Sequence, residues 1–204
     1  MKPMPTQARA IRKREALLDA AEREFATRGF DETTAKSIAA DAKVAVGTFY
    51  QYFENKNDIL REIARRGLEL IRDHLPPFSL TESDTLSAQR LHQLFVRALE
   101  FVYAYHANKP ELHQVLEQRR SVDAELGVIM REGEDALRNH IRLFVQTFNL
   151  PSPEIVTHNL FAMGEGIVHR QVFDQNTLPP EQVIEVGASM LTAYFNQLSN
   201  VIDQ

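Results

Sequence analysis

Cysteine is absent from the 204 residues. Without a thiol the chain can form no disulfide, no thiolate metal site and no cysteine nucleophile. No stretch approaches the roughly 18 uninterrupted apolar residues of a membrane span. Alternating apolar and polar residues, the signature of a half-buried strand, are missing too, as are internal repeats and low-complexity tracts. A nucleophile elbow, a phosphate-binding Walker loop, a dinucleotide fingerprint and an HExxH zinc arrangement are likewise not found. Apolar residues make up 44% and charged residues 25%, an ordinary globular balance that excludes a disordered or fibrous chain. At this length a core can form without covalent staples. The opening MKPMPTQARAIRKREALL is basic, but charges resume before any apolar segment, so it does not read as a secretion signal. The expectation is a soluble, cytoplasmic protein.

Charge is unevenly spread. Residues 1–56 carry 10 Lys and Arg against 8 Asp and Glu, a balance of +2, whereas the remainder carries 13 against 20, a balance of −7. Arg9, Arg12, Lys13 and Arg14 concentrate the positive charge further. A basic N-terminal piece on an acidic body suits one end that approaches phosphates while the rest stays soluble.

The period is helical throughout. Leu18, Ala21 and Phe25 mark a first helix that Gly29 should stop. Thr33 or Thr34 can cap a short second helix carrying Ile38, Ala39 and Ala42. A break at Lys43-Val44 leads into a third helix, AVGTFYQYF, and Asn55 caps a fourth, with Asp58 in its first turn. That helix runs through Ile59, Leu60, Ile63 and Leu70 to Pro76-Pro77. PPFSLTESD (76–84) is the clearest linker. Longer helices should follow at 85–107, 110–119, 122–148, 153–174 and 180–202, with Ser152-Pro153-Glu154 and Leu178-Pro179-Pro180-Glu181 as helix starts.

Residues 34–53, TAKSIAADAKVAVGTFYQYF, form a helix-turn-helix pattern. Ile38, Ala39, Ala42, Val44, Phe49 and Phe53 would fix the angle between its helices. Ala45, Val46, Gly47, Thr48, Tyr50, Gln51 and Tyr52 are left outward. Small residues at the start of the second helix let its backbone sink into a major groove, and Thr48, Tyr50 and Gln51 supply donors for phosphates and base edges.

From about residue 11 to 71 the chain resembles the DNA-binding domain of the TetR (tetracycline-repressor-like) family of bacterial transcription regulators. The resemblance rests on LLDAAEREFATRGFDETTAKSIAADAKVAVGTFYQYFENKNDIL (17–60), above all Gly29-Phe30, Thr33-Thr34, Ile38-Ala39, Gly47-Thr48-Phe49-Tyr50, Tyr52-Phe53 and Lys56. It implies that Thr34, Tyr50 and Lys56 lie near phosphates while positions 46–48 and 51 face the groove. Two departures stand out. Lys43 occupies the usual place of a turn glycine, adding a charge near the DNA backbone and bending the turn. Ala45-Val46 replaces a common Ser-Lys or Ser-Arg pair, so readout should lean on thymine methyl groups.

The expected fold is therefore all-α. It comprises an N-terminal three-helix helix-turn-helix domain at 11–71 and a larger helical effector-binding and dimerisation domain at 76–204. The last helix carries two apolar stripes, Ile184, Gly187, Ala188, Leu191, Phe195, Leu198 and Ile202 beside Val183, Val186, Met190, Tyr194 and Val201, more than one neighbour requires. With Phe161 and Ile167 of the preceding helix, the Ile184, Ala188, Leu191, Phe195 and Leu198 stripe is the expected homodimer interface. Gly164 and Gly166 suggest close approach of another helix. Phe95, Phe101, Tyr105, Met130, Phe144 and Phe161 are candidate lining for a small effector. His92, His106 and His113 form no i,i+4 pair and read as satisfied or surface groups, giving no metal site. Carboxylates such as Glu117, Glu132 and Glu134, interspersed with Arg119, Arg120 and Arg131, suit exposed ion-paired faces. The function expected is a ligand-responsive repressor that binds a palindromic operator, lies on the nucleoid when DNA-bound, and needs neither cofactor nor enzymatic activity. The alternatives are a DNA-binding protein without an effector, and an all-helical enzyme.

Overall fold

The computed structural model describes residues 7–75, 87–148, 150–174 and 177–199, and every regular element among them is an α-helix. In chain order these are α1 (Ala8–Glu32), α2 (Ala35–Asp41), α3 (Val46–Tyr52), α4 (Lys56–His74), α5 (Ala88–Ala107), α6 (Pro110–Arg120), α7 (Ala124–Gln146), α8 (Pro153–Phe173) and α9 (Pro180–Ser199). The linker expected at 76–84 and the stripe positions Val201 and Ile202 lie outside the described residues. No helix among the described residues is long and apolar enough to cross a membrane.

Helix ends follow local chemistry in most places. Gly29 sits at φ 73°, ψ −179° inside α1, so the helical path breaks there without ending the element. That backbone region is almost closed to residues with a Cβ. The Thr34 hydroxyl accepts from the Ser37 amide and the Ser37 hydroxyl accepts from the Thr34 amide, a reciprocal capping box at α2. Asn55 accepts from the amides of Asn57 and Asp58, and Asp58 accepts in return from the Glu54 amide. Ser87 caps α5 by accepting from the Arg90 amide. Ser152 is an exception to the sequence expectation. It adopts left-handed φ 51°, ψ 57° and makes no capping bond, and α8 starts instead on the preset φ of Pro153.

The chain divides into two compact units. The first comprises the residues up to Leu70 together with Lys109–Gly133, and the second comprises Ile71–Asn108 and the residues from Glu134 onward. The sequence division assigned everything after residue 76 to one domain and differs from this at Lys109–Gly133. Three short helices cannot cover α1, which buries Leu17, Leu18, Ala20, Ala21 and Phe25. Leu112, Val115 and Leu116 of α6, with Leu126 and Ile129 of α7, supply the missing side of that core. The face α4 buries is Ile59, Leu60, Ile63 and Leu68, whereas Leu70 is 54% exposed and does not belong to it.

The second unit has its own core of Leu91, Leu94, Phe95 and Leu99 from α5, Phe144 and Val145 from α7, Val156, Leu160 and Val168 from α8, and Ile184, Ala188, Leu191 and Phe195 from α9. Phe144, Phe148 and Phe195 meet there at centroid distances of 4.9–5.4 Å. Close approach of helices occurs at Gly187, where an added Cβ would lie 3.1 Å from Ile167 Cδ1 and 3.3 Å from Leu99 Cδ1. Gly164 has only ordinary contact with Leu99, and Gly166 faces open space.

Candidate nucleic-acid interface

Between α2 and α3 the chain must reverse within four residues. The Lys43 amide donates to Ala40 O at 3.1 Å and the Val44 amide to Ala39 O at 3.0 Å. With Ala42 as C-cap, this pair of bonds is a Schellman turn, which requires its middle residue in the left-handed region. That residue is Lys43, at φ 56°. The turn is therefore kept intact without glycine, correcting the expectation that lysine would bend it. The cost is left-handed strain in a residue with a Cβ, about 1 kcal/mol. Lys43 is exposed, so the strained position delivers an ammonium group beside α3.

The first core fixes the orientation of α3. Phe49 is fully buried and Phe53 nearly so, with ring centroids 5.7 Å apart. Ile38 and Ala39 of α2 pack into the same core. With Phe49 anchored, Ala45, Val46, Gly47, Tyr50 and Gln51 emerge into solvent, while Thr48 is half-buried. Val46 is 45% and Tyr50 52% exposed, and the Tyr50 ring stands edge-on to Phe49 at 5.3 Å. Tyr52 departs from expectation: it is half-buried against the first core, so its ring supports the helix and is not presented outward with Tyr50. Thr34 is exposed at the N-terminus of α2 while serving as its cap.

Two basic residues have structural partners that spacing did not reveal. The Lys56 ammonium donates to Phe30 O at 2.7 Å and Asp31 O at 3.1 Å and lies 4.3 Å from the Phe30 ring centroid. It thereby satisfies carbonyls that follow the break at Gly29, and Arg119 approaches the same ring at 4.1 Å. Lys56 has three donors, so these two bonds leave capacity for a phosphate. Arg14 is buried, ion-paired with Glu62, and lies over the Phe53 ring at 5.4 Å. It is part of the core and not of the basic N-terminal surface, which reduces to exposed Arg9 and Arg12 with half-buried Lys13.

A second ion-pair group braces this unit from behind. Arg61 of α4 donates through Nε to both carboxylate oxygens of Asp123, at 3.0 and 2.9 Å, and through Nη1 to Glu125 at 2.8 Å. Asp123 also accepts from the Leu126 amide, capping α7. Burial pushes the Asp123 carboxyl up, but hydrogen bonds from Arg61 and the Leu126 amide, with the Arg61 charge, outweigh it and hold the group below the usual carboxylate range.

The expected effector residues are only partly brought together: Phe95 and Phe144 meet edge-on at 6.2 Å, whereas Met130 belongs to the other unit. Met130 packs on the core of the first unit. Phe95 and Phe144 fill the core of the second, and Phe101, Tyr105 and Phe161 are half-buried there, with the Arg138 guanidinium 4.4 Å over the Phe161 ring. The expected dimer stripe is also corrected. Ile184, Ala188, Leu191 and Phe195 are each at most 7% exposed within their own unit, leaving no surface for a partner. Ile167 and Leu198 are half-buried. The apolar side chains left outward are Ile155 and Ala162 of α8 and Val186, Met190 and Ala193 of α9.

The chain is similar to known proteins in both sequence and fold. The family described as bacterial regulatory proteins, tetR family, matches residues 17–63, which span α2, α3 and the anchoring parts of α1 and α4. The transcriptional repressor BepR of Brucella suis biovar 1 (strain 1330) is 30% identical over 149 residues, covering 69% of this chain and 66% of that protein. The chain thus spans just under two thirds of that relative's length. A solved structure assigned to the TetR-family regulators, from Mesorhizobium loti MAFF303099, superposes with a TM-score of 0.72 at 17% identity, over 94% of this chain and 98% of that one. The SmeT–triclosan complex superposes with a TM-score of 0.68 at 22% identity, over 89% and 90%.

Proposed function

Because this chain belongs to the TetR family of bacterial regulatory proteins, we propose that it is a sequence-specific DNA-binding transcription regulator acting as a repressor. One observation carries the reading. A buried Phe49 and a Schellman turn hold α3 so that Ala45, Val46, Gly47, Tyr50 and Gln51 project from the unit on one short, rigid helix. Small side chains at its start allow a close major-groove approach, and Val46 offers methyl groups to thymine. Thr34, Lys43, Tyr50 and Lys56 lie at positions suited to phosphates, which fix register without reading sequence. The chain has no need of an enzyme's convergent polar groups, since regulation is a coupling of binding equilibria.

The operator is an inverted repeat and the chain binds it as a homodimer. Ile155, Ala162, Val186, Met190 and Ala193, apolar and uncovered on α8 and α9, support a self-association surface. Two-fold pairing of two α3 helices demands half-sites about one DNA turn apart, near 34 Å. A small apolar or aromatic effector releases the repressor. The triclosan held by the similarly folded SmeT supports that class of ligand. The test is fluorescence anisotropy on an inverted-repeat fragment selected from a random duplex pool. Saturable, salt-sensitive binding supports the reading, and failure to enrich any sequence refutes it.

A further inference from the structure

His106 of α5 and His169 of α8 are 63 positions apart in sequence, yet they meet in the second unit with their Nε2 atoms 3.0 Å apart. Their rings stand 4.7 Å apart at 65°. His106 Nδ1 lies 2.7 Å from Val102 O. A carbonyl only accepts, so this nitrogen carries the hydrogen, and the Nε2 of neutral His106 directs a lone pair towards His169. Burial pushes the His106 pKa down to about 4, with the neighbouring His169 acting in the same direction against the Val102 carbonyl. Phe173 stands edge-on to both rings, and Tyr105 to His106.

We propose that His106 and His169 together ligate one divalent transition-metal ion of the imidazole-binding kind, such as zinc, nickel or copper, through their two Nε2 atoms. Zinc–nitrogen bonds of about 2.0–2.1 Å at a tetrahedral angle place two ligand nitrogens about 3.3 Å apart. The rings therefore need to part only slightly from their present 3.0 Å. The Nδ1–H of His106 to a main-chain carbonyl is the outer hydrogen bond that ligating histidines make, and it fixes the tautomer that metal binding requires. Without metal, His169 Nε2–H donates to His106 Nε2. On binding, the His169 proton moves to its Nδ1 and no net proton leaves a neutral ring. Local spacing could not announce this pair, because its members come from helices far apart in the chain.

The test uses the full chain without a histidine tag, titrated with Zn²⁺ by calorimetry and with Co²⁺ by visible absorbance. One ion per chain, bound saturably, should raise the melting temperature, with reversal by EDTA. His169→Gln should weaken Zn²⁺ binding at least about tenfold, whereas His158→Gln, exposed on the same helix, should leave it unchanged. Circular dichroism checks that both variants are folded, and half-buried His169 is the variant chosen because buried His106 is the more disruptive site to change. Absence of saturable binding, binding that survives His169→Gln, or equal loss in His158→Gln would overturn the proposal and leave a plain histidine–histidine hydrogen bond.

Discussion

At the scale of single residues, the basic side chains of the first unit divide into those that hold the fold and those that face solvent, and sequence position does not separate them. Arg14 stands among Arg9, Arg12 and Lys13 in the chain but is buried against Glu62 and Phe53. Lys56, which we propose as a phosphate contact, ties down Phe30 O and Asp31 O. Lys56→Ala should therefore lower the salt slope of DNA binding by about one unit and also cost about 1 kcal/mol of stability in urea denaturation. A stability loss with unchanged slope would leave it a purely structural lysine. Lys43 gives the opposite signature. Lys43→Gly relieves left-handed strain and should stabilise the unit by about 1 kcal/mol while weakening DNA binding and lowering its salt slope. The glycine preference of that position was legible in the sequence, but the willingness of lysine to fill it was not, because the cost is small beside the turn's two hydrogen bonds. Asp123 supplies a pH test. Its folded pKa is depressed, so its contribution is complete above the unfolded value of about 4 and is lost as pH falls through the folded one. Asp123→Asn should cost about 2 kcal/mol at pH 7, less than a fully buried pair since Arg61 keeps partial access to water. The variant should also show a flatter stability profile below pH 4, read by denaturation at several pH values.

At the scale of elements, the helices were legible because their end signals are local. Thr34 with Ser37, Asn55 with Asp58, and the prolines opening α8 and α9 all act within one turn. What a helix packs against is not local. Two apolar stripes on α9 were plain in the sequence, but periodicity gives no sign of which turns inward. The stripe containing Leu191 and Phe195 fills the core of its own unit, and Val186 and Met190 of the other face solvent at 61% and 58%. For the same reason α6 could be recognised as a helix without its place in the core of the first unit. This changes what substitutions should do. Met190→Asp should leave the fold intact and shift the chain towards monomer in sedimentation velocity. Leu191→Asp should bury an unpaired charge and unfold the second unit, at a cost of several kcal/mol. A folded monomer from Leu191→Asp, or an unperturbed dimer from Met190→Asp, would place self-association elsewhere.

At the scale of the whole molecule, the proposed repressor couples two binding equilibria. α4 has residues in both units, 56–70 in the first and 71–74 in the second. Packed interfaces shift between discrete arrangements and do not deform smoothly. An effector coupling of about 1–3 kcal/mol would weaken operator binding roughly 5- to 150-fold. Reciprocity then requires operator DNA to weaken effector binding by the same factor, and unequal factors in paired titrations would refute a two-state switch. The proposed reading of DNA by the exposed face of α3 underlies both equilibria. It is tested most directly by selecting duplexes against the native chain and against Val46→Ala, then measuring affinity for each product across a range of salt. The account predicts an inverted repeat for the native chain, a changed base preference for Val46→Ala, and a steep salt slope common to both. An identical sequence selected by both, or affinity indifferent to salt, would contradict it.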